Sequence, residues 1–286
     1  MEKLLPDRLK AFWRSVEEGR MTGEEFDAEQ KRLLSECSRT WEEALLLEGR
    51  GDLQESLLWE VGEYLHCGDA AETRAKCVQA LSDVKGEWDG QVDSGDRDSV
   101  EEFYNRSRAM IYELMWWHTL AEDNSPLAYV VAMEMAKSEG CLRCLDFGCG
   151  VGSGSIVFAR NGMEIILADI SSPMLDYSGW RFGIRNLPAR CIDLKTAALP
   201  DAAFDMVTAM DVFEHLVDPV RTVDELWKAM APGGFLFGRF HAEPDEDRPH
   251  HIIHDFGPTL ARLRELGFAE VWRDEWLWGH QVFRKS

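Results

Sequence analysis

The chain has 286 residues and a formal net charge of −21, from 52 acidic and 31 basic side chains. That charge repels nucleic-acid backbones and anionic membrane surfaces, so we expect neither as a partner. No apolar run reaches about 18 residues, the minimum for a membrane span, and the charged N-terminus does not resemble a signal peptide. Seven scattered cysteines form no disulfide framework, which predicts a reducing, cytoplasmic location.

Residues 1–140 have the sequence pattern of helices throughout. Thr22 and Glu25 form a capping box, in which each side chain satisfies a free backbone N–H of the first turn. Ser99 and Glu102 repeat this spacing before a strongly apolar segment. The predicted helices cover 22–47, 52–68, 70–84, 100–120 and 126–140.

A polar, turn-rich segment separates the third of these helices from the fourth. Residues 86–98 read GEWDGQVDSGDRD, a composition typical of a linker. We therefore predict a helical N-terminal region, 1–98, and a second domain, 99–286, whose core is 141–286. The long first helices are candidates for a lid over a functional site, for a homodimer surface, or for both.

From residue 141 onward the pattern alternates between short apolar strands and amphipathic helices. Such alternation predicts an α/β domain with a parallel, doubly wound sheet. The predicted helices are 154–161, 173–186, 220–230 and 258–266. The predicted strands are 141–147, 163–170, 189–194, 203–210 and 235–240, with two more within 268–285.

The segment 145–154, LDFGCGVGSG, joins the first strand to the first helix of this domain and carries a glycine at every second position from 148. Glycines there allow a tight turn and a close approach of the backbone to a ligand. A dinucleotide-binding G-x-G-x-x-G would need glycine at 153 or at 155, where Ser153 and Ser155 stand instead. The segment therefore argues against an NAD-dependent oxidoreductase.

Acidic residues end the first three strands. Asp146 precedes the glycines, where it would repel a pyrophosphate and suits a ligand with an ammonium group. Asp169 ends the second strand, where a carboxylate can accept both hydroxyls of a ribose. Asp193 ends the third, where a carboxylate can accept an exocyclic amine. Together they describe an adenosine that carries a zwitterionic tail.

These segments resemble the class I S-adenosylmethionine-dependent methyltransferases over about 141–286. LDFGCGVGSG is similar to their first motif, ILADIS to their second, and CIDL before LPDAAFDMV to the adenine-facing segment. VFEHLVDP and LWKAMAPGGFLF follow in the family's order. The resemblance implies S-adenosylmethionine as co-substrate and a Rossmann-like seven-stranded sheet of order 3-2-1-4-5-7-6.

The resemblance also implies residues for the donor. An aromatic or basic residue from a helix upstream of the core folds over the donor in related enzymes, and Tyr104, Arg106 and Tyr112 are the candidates here. Asp146, Gly148 and Gly150 would line the methionine moiety. The expected donor-binding residues are Tyr104, Asp146, Gly148, Cys149, Gly150, Asp169, Ile170, Asp193, Leu194 and Met210.

Asp211, Glu214 and His215 follow the fourth strand at i, i+3 and i+4, so they share one face if the turn is helical. His215 could act as a general base oriented by Glu214. Related ubiquinone-biosynthesis O-methyltransferases link similar side chains to a divalent metal, so a metal held by these three residues is an alternative. A purely structural capping role is a third.

The segment 241–255 is long and polar, with four histidines among five acids. At the mouth of the sheet it is a candidate active-site lid, and His251 is a catalytic candidate within it. The alternative is that His250, His251 or His254 only fixes the loop.

Together these features predict methyl transfer to a small-molecule acceptor. We favour oxygen as the acceptor atom, because a base at His215 helps most when a hydroxyl must lose its proton. Methylation of nitrogen, sulfur or carbon is the first alternative. A non-catalytic scaffold that binds the donor is the second.

Overall fold

A computed structural model describes residues 4–286, so the first three residues of the predicted region 1–98 lie outside the described part. The helices are α1 (Leu5–Glu17), α2 (Gly23–Leu45), α3 (Leu53–Tyr64), α4 (Ala70–Trp88), α5 (Arg97–Arg106), α6 (Ala109–Trp117), α7 (Ala128–Ser138), α8 (Ser153–Arg160), α9 (Ser172–Gly183), α10 (Pro219–Ala229) and α11 (Gly257–Glu265). The strands are β1 (Arg143–Phe147), β2 (Glu164–Asp169), β3 (Cys191–Asp193), β4 (Phe204–Ala209), β5 (Met230–Arg239), β6 (Phe268–Arg273) and β7 (His280–Lys285).

The seven strands form one sheet of order β3-β2-β1-β4-β5-β7-β6. Strands β1 to β5 pair in parallel, whereas β7 runs antiparallel to both β5 and β6. This arrangement confirms the predicted fold class. The carboxyl ends of the five parallel strands therefore meet at one edge, where ligands bind in open sheets of this kind.

Two hydrophobic cores cover the two faces of the sheet. Neighbouring strand residues point to opposite faces, so Cys144 lies in one core and Leu145 in the other. The first core contains side chains from α1 to α9, and the second contains those from α10 and α11. The N-terminal helices thus share a continuous core with the strand–helix domain.

The predicted capping box of α2 is confirmed. The side chain of Thr22 accepts a hydrogen bond from the Glu25 backbone, and the Glu25 carboxylate accepts one from the Thr22 backbone at 2.7 Å. The helix begins where the sequence predicted and ends two residues earlier, at Leu45.

Two predicted boundaries between the third and fourth helices are wrong. The linker was expected from residue 86, but α4 continues to Trp88, because that side chain is buried edge-on against Phe103 with ring centroids 4.9 Å apart. The following helix begins at Arg97 rather than after Ser99, and its N-cap is Asp96, whose carboxylate accepts from the Asp98 backbone.

The predicted single helix 100–120 is two helices. The chain leaves the helical conformation at Ser107, whose ψ is 113°. The Ser107 hydroxyl accepts a hydrogen bond from the Met110 backbone N–H at 3.2 Å and so starts α6. Short polar side chains favour such caps over the helix interior. Tyr104 and Tyr112, two of the candidates for folding over the donor, therefore lie on different helices.

Strand β5 is longer than predicted. It begins at Met230, and the segment Pro232–Gly234, expected to lie before the strand, is part of it. The pairing of β4 with β5 shifts register between Phe204 and Met206, and this irregularity accommodates the proline and the two glycines.

Every helix within residues 4–286 is shorter or more polar than a membrane-spanning helix must be.

A fully buried ion network connects the N-terminal region to the strand–helix domain. Glu60 of α3 accepts from Arg181 Nε at 2.5 Å and from Arg185 Nη2 at 2.6 Å, and none of the three side chains is exposed. Arg181 also donates to the Val151 carbonyl at 2.6 Å and to the Ser153 hydroxyl at 2.7 Å. The glycine-rich loop is thereby tied, through α9, to a helix of the N-terminal region.

Replacing Glu60 by alanine should lower the free energy of unfolding by about 3–5 kcal/mol, because two buried guanidinium groups would lose their counter-charge. Glu164→Ala is the matched control, since Glu164 pairs with Arg190 on the surface and exposed pairs contribute less than about 1 kcal/mol. Urea denaturation of the full chain measures both. Equal losses in the two variants would contradict this account of the network.

Candidate functional site

A cavity of about 630 Å³ opens at the carboxyl ends of the parallel strands. Its walls are the segments after β1, β2, β3, β4 and β5, closed on one side by α5 and α6. Its first lining residue along the chain is Tyr104. Residues 4–98 contribute nothing to the lining, and most of their helices pack against the core behind the glycine loop. Lys85 of α4 nevertheless pairs with Asp247 of the loop after β5 at 3.0 Å. The lid role of the N-terminal region therefore stays a prediction.

The glycine-rich segment forms one wall of the cavity. Gly148, Gly150 and Gly152 have φ angles of 67°, 50° and 72°, a left-handed conformation that other residues adopt only with strain. A methyl group on Gly148 would lie 2.6 Å from the nearest Val212 side-chain carbon. The segment therefore needs glycine at this position for both its backbone conformation and its packing.

Asp169 lies at the end of β2 and lines the cavity beside this loop. One carboxylate oxygen accepts the Gly150 N–H at 2.9 Å, and the other accepts the Ser171 N–H at 2.8 Å. Burial raises the pKa of Asp169, and these backbone bonds offset part of that rise. Each oxygen can still accept a further hydrogen bond, so the carboxylate could bind two hydroxyls of a ligand.

The structure surrounds Asp146, which was predicted to line the methionine moiety of the donor, with protein groups. Its side chain is fully buried beneath the loop and does not line the cavity. The carboxylate accepts from Ser155 at 2.6 Å, from Thr208 at 2.9 Å and from Tyr129 at 3.4 Å. Burial raises its pKa to about 6 despite these bonds. Asp146 thus joins β1 to α8, β4 and α7, and supports the loop from below.

Asp193 also lies outside the cavity lining. Its carboxylate accepts from the Ser172 hydroxyl at 2.8 Å and pairs with the Lys195 ammonium at 3.2 Å. These neighbours satisfy the side chain that was predicted to face an adenine amine. The other expected donor-binding residues do line the cavity: Tyr104, Gly148, Cys149, Gly150, Asp169, Ile170, Leu194 and Met210.

The helix-like face predicted for Asp211, Glu214 and His215 does not form. Asp211 has a φ of 48°, and only the three residues Phe213–His215 make a 3₁₀ turn. Asp211 instead accepts from Arg239 of β5 at 2.8 Å. The first member of the predicted metal set is therefore engaged by a guanidinium group. All three side chains still line the cavity.

Glu214 does not orient His215 as predicted. His215 Nδ1 lies 3.0 Å from the His250 carbonyl, which can only accept, so Nδ1 carries the proton and Nε2 carries the lone pair. Burial lowers the pKa of His215. Burial and the nearby Asp211 raise the pKa of Glu214 to about 8, and its buried Oε2 has no hydrogen-bond partner.

The segment after β5 brings two more histidines to the same place. His250 is buried and His251 half-buried, and both line the cavity together with Arg248. His241, at the start of the segment, is also a lining residue. His254 is exposed and lies outside the lining. The segment is irregular in structure, as expected for a loop at the mouth of the sheet.

Several lining residues were missed by the sequence reasoning. Glu113 of α6 is buried, its pKa is raised to about 7 by burial, and its nearest cation is Arg248 at 3.9 Å. An acidic residue within the apolar run MIYELMWW was the available signal. Arg239 and Trp117 also line the cavity, but nothing in the local pattern distinguishes them from surface or core residues.

Comparison with known proteins agrees with this architecture. Residues 145–238 match a family model described as a methyltransferase domain. A demethylmenaquinone methyltransferase from Thermus thermophilus is 32% identical over 109 residues, which cover 37% of this chain and 50% of the relative. A ubiquinone biosynthesis O-methyltransferase from Psychrobacter arcticus is 33% identical over 121 residues, which cover 40% of this chain and 47% of the relative. The chain spans about half the length of these relatives.

The fold of this chain is also similar to that of a solved structure. A SAM-dependent methyltransferase from Leishmania major superposes with a TM-score of 0.51 at 17% identity, covering 69% of this chain and 88% of that one. Residues 145–238 therefore form a methyltransferase domain, and the chain has the fold of the class I S-adenosylmethionine-dependent methyltransferases.

Gly148→Ala should destabilise the chain by about 1–3 kcal/mol more than Gly162→Ala, because the new methyl group overpacks against Val212. Gly162 is the matched control, since its φ of 86° is also positive and an added Cβ would meet nothing within 4 Å. Urea denaturation of both variants isolates the packing effect from the backbone strain. Equal stabilities would show that Val212 yields to the methyl group.

Proposed function

We propose that this chain transfers a methyl group from S-adenosylmethionine to a small-molecule acceptor, with oxygen as the acceptor atom. The observation that carries the proposal is a single cavity shared by two sets of groups. The glycine loop and Asp169 line one part, and a neutral imidazole, His215, lines another. The Psychrobacter relative, whose name is that of an O-methyltransferase, supports oxygen as the first choice.

The donor half of the cavity suits an adenosine with an amino-acid tail. Asp169 offers free lone pairs for the ribose hydroxyls, while Leu194 and Met210 provide apolar surface for a flat base. A sulfonium is already a good methyl donor, so the protein must hold the acceptor in line with it and exclude water.

His215 is the proposed general base. With the proton held on Nδ1 by the His250 carbonyl, the Nε2 lone pair can take the proton of an acceptor hydroxyl. The acceptor oxygen then forms a bond to the methyl carbon as the carbon–sulfur bond breaks. The products are the methylated acceptor, S-adenosylhomocysteine and a proton on His215. Because burial lowers the pKa of His215, the imidazole is unprotonated at neutral pH and ready for this step.

Methylation of nitrogen, sulfur or carbon is the second candidate within the same chemistry. The Thermus relative, a demethylmenaquinone methyltransferase by name, is as similar to this chain as the O-methyltransferase is. A role of the first helices as a homodimer surface also stays a proposal, for which the exposed Trp13 of α1 is a starting point.

Asp169→Ala should weaken S-adenosylhomocysteine binding by about 10- to 100-fold, the loss expected for hydrogen bonds to a charged group. Asp193→Ala is the control: Asp193 also ends a strand but does not line the cavity, so its effect should be clearly smaller. Calorimetry measures both affinities. Absence of binding to the wild-type chain would contradict the donor, and equal losses would contradict the role of Asp169.

His215→Ala should lower the rate of methyl transfer by about 10²–10⁴-fold, the usual contribution of a general base, while S-adenosylhomocysteine affinity stays within a few-fold. The acceptor for this assay comes from incubating metabolite extracts with radiolabelled donor and identifying the labelled product. A full rate in His215→Ala would remove the base. Donor binding without any labelled product would favour the non-catalytic scaffold.

A further inference from the structure

Three imidazole rings from two separate segments converge in the cavity. His215 comes from the turn after β4, whereas His250 and His251 come from the loop after β5. One ring nitrogen from each lies within 4.8 Å of the other two. The ring centroids are 4.8 to 5.3 Å apart.

Backbone hydrogen bonds hold these two segments together. The Glu214 carbonyl accepts the Ile252 N–H at 2.8 Å and the Ile253 N–H at 3.0 Å. The His250 carbonyl accepts Nδ1–H of His215, as described above. A histidine that ligates a metal characteristically donates its other ring N–H in this way, which fixes the ring and directs the free nitrogen at the ion. The cluster is therefore built into the fold.

Five lining residues have a buried polar atom with no hydrogen-bond partner among the described residues: Tyr104, His118, Glu214, Arg239 and His250. His250 Nδ1 and Glu214 Oε2 are both buried, and neither has a hydrogen bond. Buried polar atoms are nearly always satisfied, by protein, water or an ion. Glu214 is 1% exposed, lines the cavity and adjoins His215 in sequence. Neither atom is satisfied by the protein, and both residues line the cavity.

We propose that His215, His250 and His251 form a binding site for a divalent first-row transition metal. Three imidazoles suit ions such as Zn²⁺ or Co²⁺ better than Mg²⁺ or Ca²⁺, which prefer oxygen ligands. A tetrahedral ion with bonds of about 2.1 Å needs donors about 3.4 Å apart, so the rings must rotate toward one another to complete the site, including the nearly parallel rings of His215 and His250. This ligand set differs from the Asp211, Glu214 and His215 set that the sequence predicted.

An ion at this position would face the same cavity as the donor loop. The ion would bind the Nε2 lone pair of His215, so His215 would not act as the base in the metal-bound protein. The ion itself would then polarise an acceptor oxygen and ease the loss of its proton. This catalytic role rests on the proposed methyl transfer, whereas the binding of the metal does not. The two can therefore be tested separately.

The test is a titration of the full-length chain, freed of metal by a chelator and carrying no histidine tag, with Co²⁺. We expect visible ligand-field absorption that saturates at one Co²⁺ per chain and is displaced by Zn²⁺. His251→Ala should weaken Co²⁺ binding by at least about 10-fold. Absence of stoichiometric Co²⁺ binding by the wild-type chain would overturn the proposal.

His254→Ala is the matched control, because His254 is exposed in the same loop and lies outside the cavity lining. It should bind Co²⁺ like the wild type, and a loss equal to that of His251→Ala would overturn the assignment. His250→Gln provides a second test of the ligand set: unchanged Co²⁺ affinity in both His250→Gln and His251→Ala would also overturn it. S-adenosylhomocysteine calorimetry on each variant verifies folding. Retained donor binding with no metal binding removes this inference alone, whereas loss of donor binding in the wild type removes the proposed function.

Discussion

The buried network of Glu60, Arg181 and Arg185 is the interaction on which the position of the glycine loop depends. Charges removed from water are stabilised by opposite charges and hydrogen bonds close to them. Glu60 supplies the negative charge from α3, and Arg181 passes the constraint to the loop through Val151 and Ser153. The helical region is therefore structurally part of the domain that it precedes, although it lies outside the segment that matches the methyltransferase family.

The acidic residues near the ends of β1, β2 and β3 have similar positions in the sequence but different surroundings in the structure. Asp146 is the penultimate residue of β1, and Asp169 and Asp193 are the last residues of β2 and β3. Hydroxyl groups surround the first, and Ser172 and Lys195 engage the third. Only Asp169 meets the cavity with lone pairs to spare, because its partners are single backbone N–H groups. Asp146 thus supports the glycine loop from beneath, and Asp169 lies beside the loop in the cavity wall.

The part of the cavity proposed for the acceptor is formed by residues from several separate segments of the chain. Glu113 of α6 is far along the chain from Arg239 of β5 and from Arg248 of the loop after β5, yet all three line the same cavity. The histidine cluster is likewise joined across two segments by backbone bonds to Glu214 and His250. Most of the groups proposed to bind the donor consequently come from short segments, whereas long-range packing brings together the groups proposed for the acceptor and for acid–base chemistry.

The sequence by itself determined the strand and helix order, the glycine loop, the role of Asp169 in the cavity wall and the class of fold, because these follow from periodicity and from residues close together in the chain. Two helix boundaries were predicted wrongly, because the Ser107 hydroxyl starts a new helix and the buried Trp88 extends another. The tertiary structure alone decided that Glu60 pairs with α9, that Asp211 turns to Arg239, and that His250 and His251 join His215. Each of these depends on which side chains burial brings together, and no spacing along the chain encodes that.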